Sequence, residues 1–258
     1  MKKLAVIGGG AMGGSVVLGL IKSGKFTSDE IIVADPDLIK LMEFKEKGIA
    51  VTSDNKEAVE GAEMIIIAVK PWLLEDIIKE IEPKINKASV ILGVIVAGVS
   101  SSGLLEMFEN PKPRNLSIIM PNTAISVGES MTFIVSVEGD DRVMLEIFSL
   151  MGDVKKIPER QLGAATALAS CGIAFALRYI RAACEGGVEL GLPAEEAKKI
   201  VVQTLKGATS LLTIPGAHPE KEIDKVTTPG GITIKGLNAM EREGFTNAVI
   251  EGLKATII

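Results

Sequence analysis

The chain is poor in the residues that most often carry chemistry. Of its 258 residues only 3% are aromatic, with one tryptophan, one tyrosine and one histidine, His218. So few rings leave no platform on which the bases of a single strand could stack. The two cysteines, Cys171 and Cys184, have no metal-ligand spacing and supply no disulfide framework. That pattern points to a reducing, cytoplasmic setting and to no metal. Net charge is −5 with the signs interspersed, which argues against nucleic acid or an acidic membrane as the main partner. The longest uncharged run, Leu162 to Leu177, falls short of the roughly 18 residues of a membrane span. Its Ala, Gly, Ser and Thr suit a helix buried at a subunit or domain interface. The start, from Met1 to Ile7, resembles a signal peptide only until Gly8-Gly9-Gly10 breaks it, and a buried first strand explains it better.

Apolar residues make up 47%, enough for a real core in one large or two modest domains. Apolar runs at Lys3–Ile7, Ile31–Ala34, Met64–Val69, Ser89–Val96 and Leu116–Met120 read as strands. Helical stretches fall between several of them, at Met12–Lys22, Leu38–Lys47 and Trp72–Ile81. This alternation implies right-handed βαβ units and a mainly parallel sheet. Met131–Val137 and Asp153–Lys156 read as further strands around a helix from Asp140 to Leu150. From Pro158 the strand signals stop, and Gln161–Leu190, Pro193–Leu212 and Ile234–Leu253 read as helices. The expected organisation is α/β: a doubly wound dinucleotide-binding domain over 1–157 and an all-helical domain over 158–258.

Gly8-Gly9-Gly10-Ala11-Met12-Gly13 is G-x-G-x-x-G between an expected strand and an expected helix. Gly8 permits the tight turn, Gly10 lets the backbone approach a pyrophosphate, and Gly13 allows close helix–strand packing. Ala11 and Met12 complete the candidate cofactor loop. Asp35 ends the second strand, where an acid accepts hydrogen bonds from an adenosine ribose. A carboxylate there repels a 2′-phosphate, so Asp35 leans towards NADH over NADPH. Two alternatives stay open: the loop turns Asp35 outward, or Asp35 begins the Asp-Pro turn of the next helix. Ala68-Val69-Lys70-Pro71 and Met120-Pro121-Asn122-Thr123 lie at carboxyl ends of strands, where open α/β sheets bind ligands. Lys70 is either a cofactor contact or a solvated charge, and Pro71 either lines the site or opens a helix. Near the C-terminus, Thr227-Thr228-Pro229-Gly230-Gly231-Ile232-Thr233 is a Pro-Gly-Gly turn running into a helix. It is either an anion site made of free N–H groups and a helix dipole or an ordinary capped helix start. His218 precedes a proline and reads as a surface turn residue. Arg178 and Tyr179 read as a helix face.

Together and in order these pieces resemble the pyrroline-5-carboxylate reductase family over essentially the whole chain. The resemblance rests on Gly8-x-Gly10-x-x-Gly13, Ala68-Val69-Lys70-Pro71, Ala97-Gly98-Val99, Met120-Pro121-Asn122-Thr123, Gly186-Gly187-Val188 with Gly191-Leu192-Pro193, His218-Pro219, and above all Val226 to Thr233 with Leu237 and Glu241. It implies reduction of 1-pyrroline-5-carboxylate to L-proline by NADPH or NADH. It also implies a helical domain that interlocks with a second subunit, giving a homodimer that can build larger rings. By position it places Ala97, Gly98 and Asn122 beside the cofactor and Asn55 at the adenosine end. It assigns the substrate carboxylate to Thr228 and the backbone of Gly230, Gly231 and Ile232, and it sets Thr233 by the reacting nitrogen as the candidate catalytic residue. The chain departs from the family at Ala169 to Phe175, where only Gly172 and Ala174 keep the usual "SGSGPAY", and at Ala124, where the usual "PNTP" ends in alanine. A hydroxyacid dehydrogenase on the same architecture would place a lysine or histidine on the first long helix, and Gly163 to Leu177 contains neither. A catalytically silent NAD(P)-binding relative is the alternative from another class.

Overall fold

The computed structural model describes residues 3–257. Compactness divides the chain into one unit ending at Ser170 and another starting at Cys171.

In the first unit, β1 (Leu4–Ile7), β2 (Ile31–Ala34), β3 (Ala50–Thr52), β4 (Met64–Ile67), β5 (Ile91–Val94), β6 (Asn115–Met120), β7 (Ser130–Glu138) and β8 (Gly152–Lys156) form one sheet. Its order is β3-β2-β1-β4-β5-β6-β7-β8. The strands β1 to β6 run parallel; β7 turns back against β6, and β8 runs parallel to β7. Helices α1 (Ala11–Lys22), α2 (Leu38–Glu46), α3 (Asn55–Val59), α4 (Leu74–Ile81), α5 (Ser101–Glu106) and α6 (Arg142–Ser149) cover it.

The continuous apolar strands are explained by burial of both faces. Along β1, Leu4 and Val6 join one core with Val16, Leu20, Ile66 and Phe148. Ala5 and Ile7 join the opposite core with Ile65, Ile67, Leu74 and Leu92. Successive strand residues point to opposite faces, so one short run feeds two cores. The short elements β3, α3 and α5 extend the expected pattern. Strand β3 is only three residues and is held by pairing with β2. Asp54 caps α3 and Ser100 caps α5.

The stretch expected as one helix from Gln161 to Leu190 is instead α7 (Leu162–Thr166), a π-turn (Ala167–Cys171) and α8 (Gly172–Glu189). The helical run Glu159–Glu189 is 31 residues long with a mean hydropathy of 1.4 in its most apolar window. By length and composition it could therefore cross a membrane, which corrects the expectation drawn from the shorter uncharged run.

The second unit continues with α9 (Ala194–Leu212), α10 (Pro219–Val226), α11 (Ile232–Arg242) and α12 (Phe245–Lys254). The helix expected over Ile234–Leu253 is two helices. Gly244 adopts φ +81 and its N–H reaches the Glu241 carbonyl at 2.9 Å, the glycine stop of a helix C-terminus. Helices α8 and α9 approach closely at Gly187, where a Cβ would stand 3.1 Å from the Ala197 Cβ. His218 caps α10, its Nδ1 accepting the Glu220 N–H at 3.3 Å.

Candidate functional site

The glycine loop joins β1 to α1. Gly8 has φ +102, and a Cβ there would lie 2.2 Å from the Ala68 carbonyl oxygen. A Cβ on Gly13 would lie 1.9 Å from the Gly8 carbonyl oxygen, so the helix can seat only with glycine there. Around Gly10 there is open space: a Cβ would meet nothing within 4 Å. The loop is therefore closed towards the protein and open where a phosphate would approach. Helix α1 has Gly10 as its N-cap, with no side-chain cap and no acid in its first turn. Its first N–H groups, at Ala11 and Met12, and its positive dipole end are left for an anion. These features fit a dinucleotide.

Asp35 is buried, and both of its oxygens are held. Oδ2 accepts the Gly9 N–H at 2.9 Å, and Oδ1 accepts the Asp37 N–H at 2.9 Å. The alternative in which Asp35 turns outward is thereby overturned, and the bond to the Asp37 N–H is that of the Asp-Pro turn that leads into α2. Lys40 Nζ stands 3.5 Å from Oδ1 and 3.7 Å from Asp37 Oδ2. The carboxylate ties the end of β2 to the glycine loop of β1.

The remaining candidates of this unit line the carboxyl ends of neighbouring strands. Ala68 and Val69 follow β4, and the Ala68 N–H bonds the Ile7 carbonyl at 2.8 Å. Lys70 is exposed and Pro71 opens a short 3₁₀ turn beyond it. Ala97 and Gly98 form an exposed turn after β5. Asn55 opens α3 after β3, and its Nδ2 donates to Glu80 Oε2 at 2.8 Å. Asn122 follows β6 but is only 4% exposed, its side chain bonded within the protein. Its Oδ1 partner, Ala124, lies two residues on in the same loop, whereas its Nδ2 partner, the Ala169 carbonyl, lies on the π-turn and has no signal in the sequence. Ser130 and Thr132, which back this loop, carried a readable signal: hydroxyls two apart on one face of a strand.

In the second unit, the turn before α11 has the type II pattern, with Pro229 at its second position and Gly230 at its third with φ +71. The Gly231 N–H closes it on the Thr228 carbonyl at 2.9 Å. A Cβ on Gly231 would meet Thr228 Oγ1 at 2.6 Å, so the hydroxyl rests against the N-cap residue. No side chain caps α11 and no acid stands in its first turn. Gly231 is the N-cap, and the N–H groups of Ile232 and Thr233 open a helix start that no side chain fills. Ile232 and Thr233 are both exposed.

A doubly wound sheet with a glycine cradle at β1, followed by a helical unit, is the architecture of a dinucleotide-binding protein. Residues 3–97 match the family model "NADP oxidoreductase coenzyme F420-dependent", and residues 159–257 match "Pyrroline-5-carboxylate reductase dimerisation". The chain is 37% identical to pyrroline-5-carboxylate reductase 2 of Dictyostelium discoideum over 98% of its own length and 90% of that protein. It is 38% identical to pyrroline-5-carboxylate reductase 1 of the same organism, of which it spans about half, 48%. The crystal structure of Plasmodium falciparum pyrroline carboxylate reductase with NADP bound superposes with a TM-score of 0.90 at 26% identity, covering 99% of this chain and 95% of that one. The chain belongs to the pyrroline-5-carboxylate reductase family.

Proposed function

We infer that this oxidoreductase reduces the C=N bond of 1-pyrroline-5-carboxylate to give L-proline. The observation that carries the reading is the uncapped start of α11. A nicotinamide-binding chain has no general need of a second anion site, whereas a small cyclic carboxylate does. The N–H groups of Ile232 and Thr233 and the Thr228 hydroxyl hold that carboxylate; the Gly231 N–H, expected to join them, is taken by the Thr228 carbonyl and closes the turn instead, while Gly230 supplies the left-handed step that aims them. The imine nitrogen is basic enough to bind protonated, so the site needs positioning more than a strong acid. The Thr233 hydroxyl hydrogen-bonds at that nitrogen.

The loop Gly8 to Gly13 and the start of α1 bind the cofactor pyrophosphate. When bound, the reduced nicotinamide supplies the hydride. Asp35 and Asn55 serve the adenosine end, with Ala68, Val69, Lys70, Pro71, Ala97 and Gly98 along the strand ends. The buried Asp35 carboxylate disfavours a 2′-phosphate, which makes NADH the preferred donor over NADPH; Lys40 reduces that preference without removing it. The helical unit pairs with a second copy as a homodimer, the base from which rings assemble, and the protein works in the cytoplasm without metal, nucleic acid or membrane. The apolar face of Glu159–Glu189, long enough for a membrane, is covered in that pairing.

The test is purified protein with 1-pyrroline-5-carboxylate and each reduced nicotinamide. Turnover is expected with both, faster with NADH. Thr233→Ala should lower kcat by roughly tenfold or more while cofactor affinity stays within about twofold. Cofactor binding without turnover would overturn the reductase reading in favour of a silent NAD(P)-binding protein.

A further inference from the structure

A buried polar network stands behind the loop at the carboxyl end of β6. Asn122 Nδ2 donates to the Ala169 carbonyl at 3.1 Å, and its Oδ1 accepts the Ala124 N–H at 3.0 Å. In the reverse sense Ser170 Oγ donates to the Pro121 carbonyl at 3.2 Å. Two neighbouring loop residues are thus bound crosswise to two neighbouring residues of the π-turn. Behind them the Asn122 N–H donates to Ser130 Oγ at 3.2 Å, and Ser130 Oγ lies 3.0 Å from Thr132 Oγ1. Asn122, Ser130 and Thr132 are 4%, 2% and 0% exposed.

A loop that only joined β6 to β7 would leave its polar groups to water. Here Asn122 at the start of the loop and Ser130 at its end are buried and satisfied, which rigidifies the segment at the cost of desolvation. The π-turn interrupts a regular helix, a geometry that recurs at functional sites. Strand order gives the loop a direction. The pyrophosphate cradle is at β1, and Asp35 marks the adenosine side at β2. The other half of a dinucleotide then runs over the ends of β4, β5 and β6, towards Pro121 and Asn122.

We propose that this crosswise clamp holds the β6 loop in register for the nicotinamide half of the cofactor, with Asn122 and Ser170 as positioning residues that act through the loop backbone. The proposal rests on the reductase reading for the chemistry and on the glycine loop with Asp35 for the direction of the cofactor.

Two variants of the full chain test it. Asn122→Asp keeps an acceptor for the Ala124 N–H and replaces the donor facing the Ala169 carbonyl. Ser170→Ala removes the other arm. The readout compares binding of NADH, followed by its own fluorescence, with binding of ADP-ribose, which lacks the nicotinamide. Asn122→Asp should weaken NADH about tenfold and leave ADP-ribose within about twofold; Ser170→Ala should weaken NADH about threefold. The double variant should lose less than the product of the two, because the arms act as one device. Equal losses for both ligands, or none, would overturn the clamp. If Asn122→Asp does not fold, Ser170→Ala carries the same comparison. A parent protein without imine turnover would remove the reductase reading and leave this ligand comparison standing.

Discussion

The two units bury apolar surface in opposite ways. The first carries two full cores, one on each sheet face, with Leu4, Ile65, Ile66, Leu92 and Phe148 wholly enclosed. In the second, Ala197 alone is classed as buried among the described residues, and its helices leave large apolar side chains in solvent. Phe175, Tyr179 and Phe245 are about two-fifths exposed, at 38%, 41% and 43%. They border an apolar groove of about 780 Å³ along α8, α11 and α12. Each fully buried large apolar side chain stabilises by about 1.5–3 kcal/mol, so the first unit can be stable alone, while the second lacks that source within one chain. A helical unit with so little interior needs a partner surface, in keeping with the dimerisation model it matches. The contrast is one of dependence: the glycine loop sits on a unit with its own two cores, while the helical unit leaves its apolar face uncovered within one chain.

The largest effect should come from breaking the second unit. Ala183→Glu places a charge in the groove beside Tyr179. An unpaired charge buried in an apolar interface costs about 3–5 kcal/mol, or a dissociation constant raised about a hundredfold or more. Light scattering should show a smaller particle. Amide exchange should speed across α8 to α12 while β1, β4 and β5 stay protected. Intact assembly, or loss of protection in both units together, would remove the contrast.

A smaller effect is expected from Asp35→Ser in the self-sufficient unit. Removing the carboxylate should move the NADPH-to-NADH ratio of kcat/KM towards NADPH by about tenfold. It also withdraws the acceptor of the Gly9 N–H, a loss of about 1–3 kcal/mol if that donor stays unpaired. The particle size should not change. An unchanged cofactor ratio with lowered stability would mean that Asp35 acts only as the tie between β2 and the glycine loop.

The same contrast governs what could be read in advance. The strands of the sheet announce themselves because burial on two faces demands unbroken apolar runs, and Gly8, Gly10 and Gly13 because a Cβ has no room or would fill the approach. Strand β3 and helix α3 were hidden, since three and five residues hold no period and their pairing partners set them. The split between α11 and α12 was readable at Glu243-Gly244, but the apolar period continues across it and masks the stop. The π-turn at Ala167–Cys171 had no signature at all: in a run of small residues a five-residue turn looks like a four-residue one. The clamp from Asn122 to Ala169 was therefore out of reach, and Asn122 stood out as a strand-end polar residue that the family resemblance sets beside the cofactor, with nothing to mark its bond to the π-turn.

The smallest effect concerns pH and again separates the units. Lys3 precedes β1 and Glu30 precedes β2, and their side chains meet at 2.5 Å. The Lys3 ammonium, followed by the Thr27 N–H, lowers the Glu30 carboxyl from 4.5 to about 2. A carboxyl depressed by folding contributes stability that is present above its unfolded value and is lost as pH falls through the folded one. The stability from this pair is therefore whole above pH 4.5 and fades between there and about pH 2. Glu30→Gln keeps an acceptor for Thr27 and cannot titrate, so it should flatten the fall in stability of the first unit across that window. The pair lies at the surface, where ion pairs contribute little, so the change should be slight and shrink further in salt. Unfolding followed separately by Trp72 fluorescence for the first unit and by assembly size for the second should show the flattening in the first signal alone. The same flattening in both signals would mean that acid unfolds the units as one, and that the core-poor unit borrows its stability from the core-rich one.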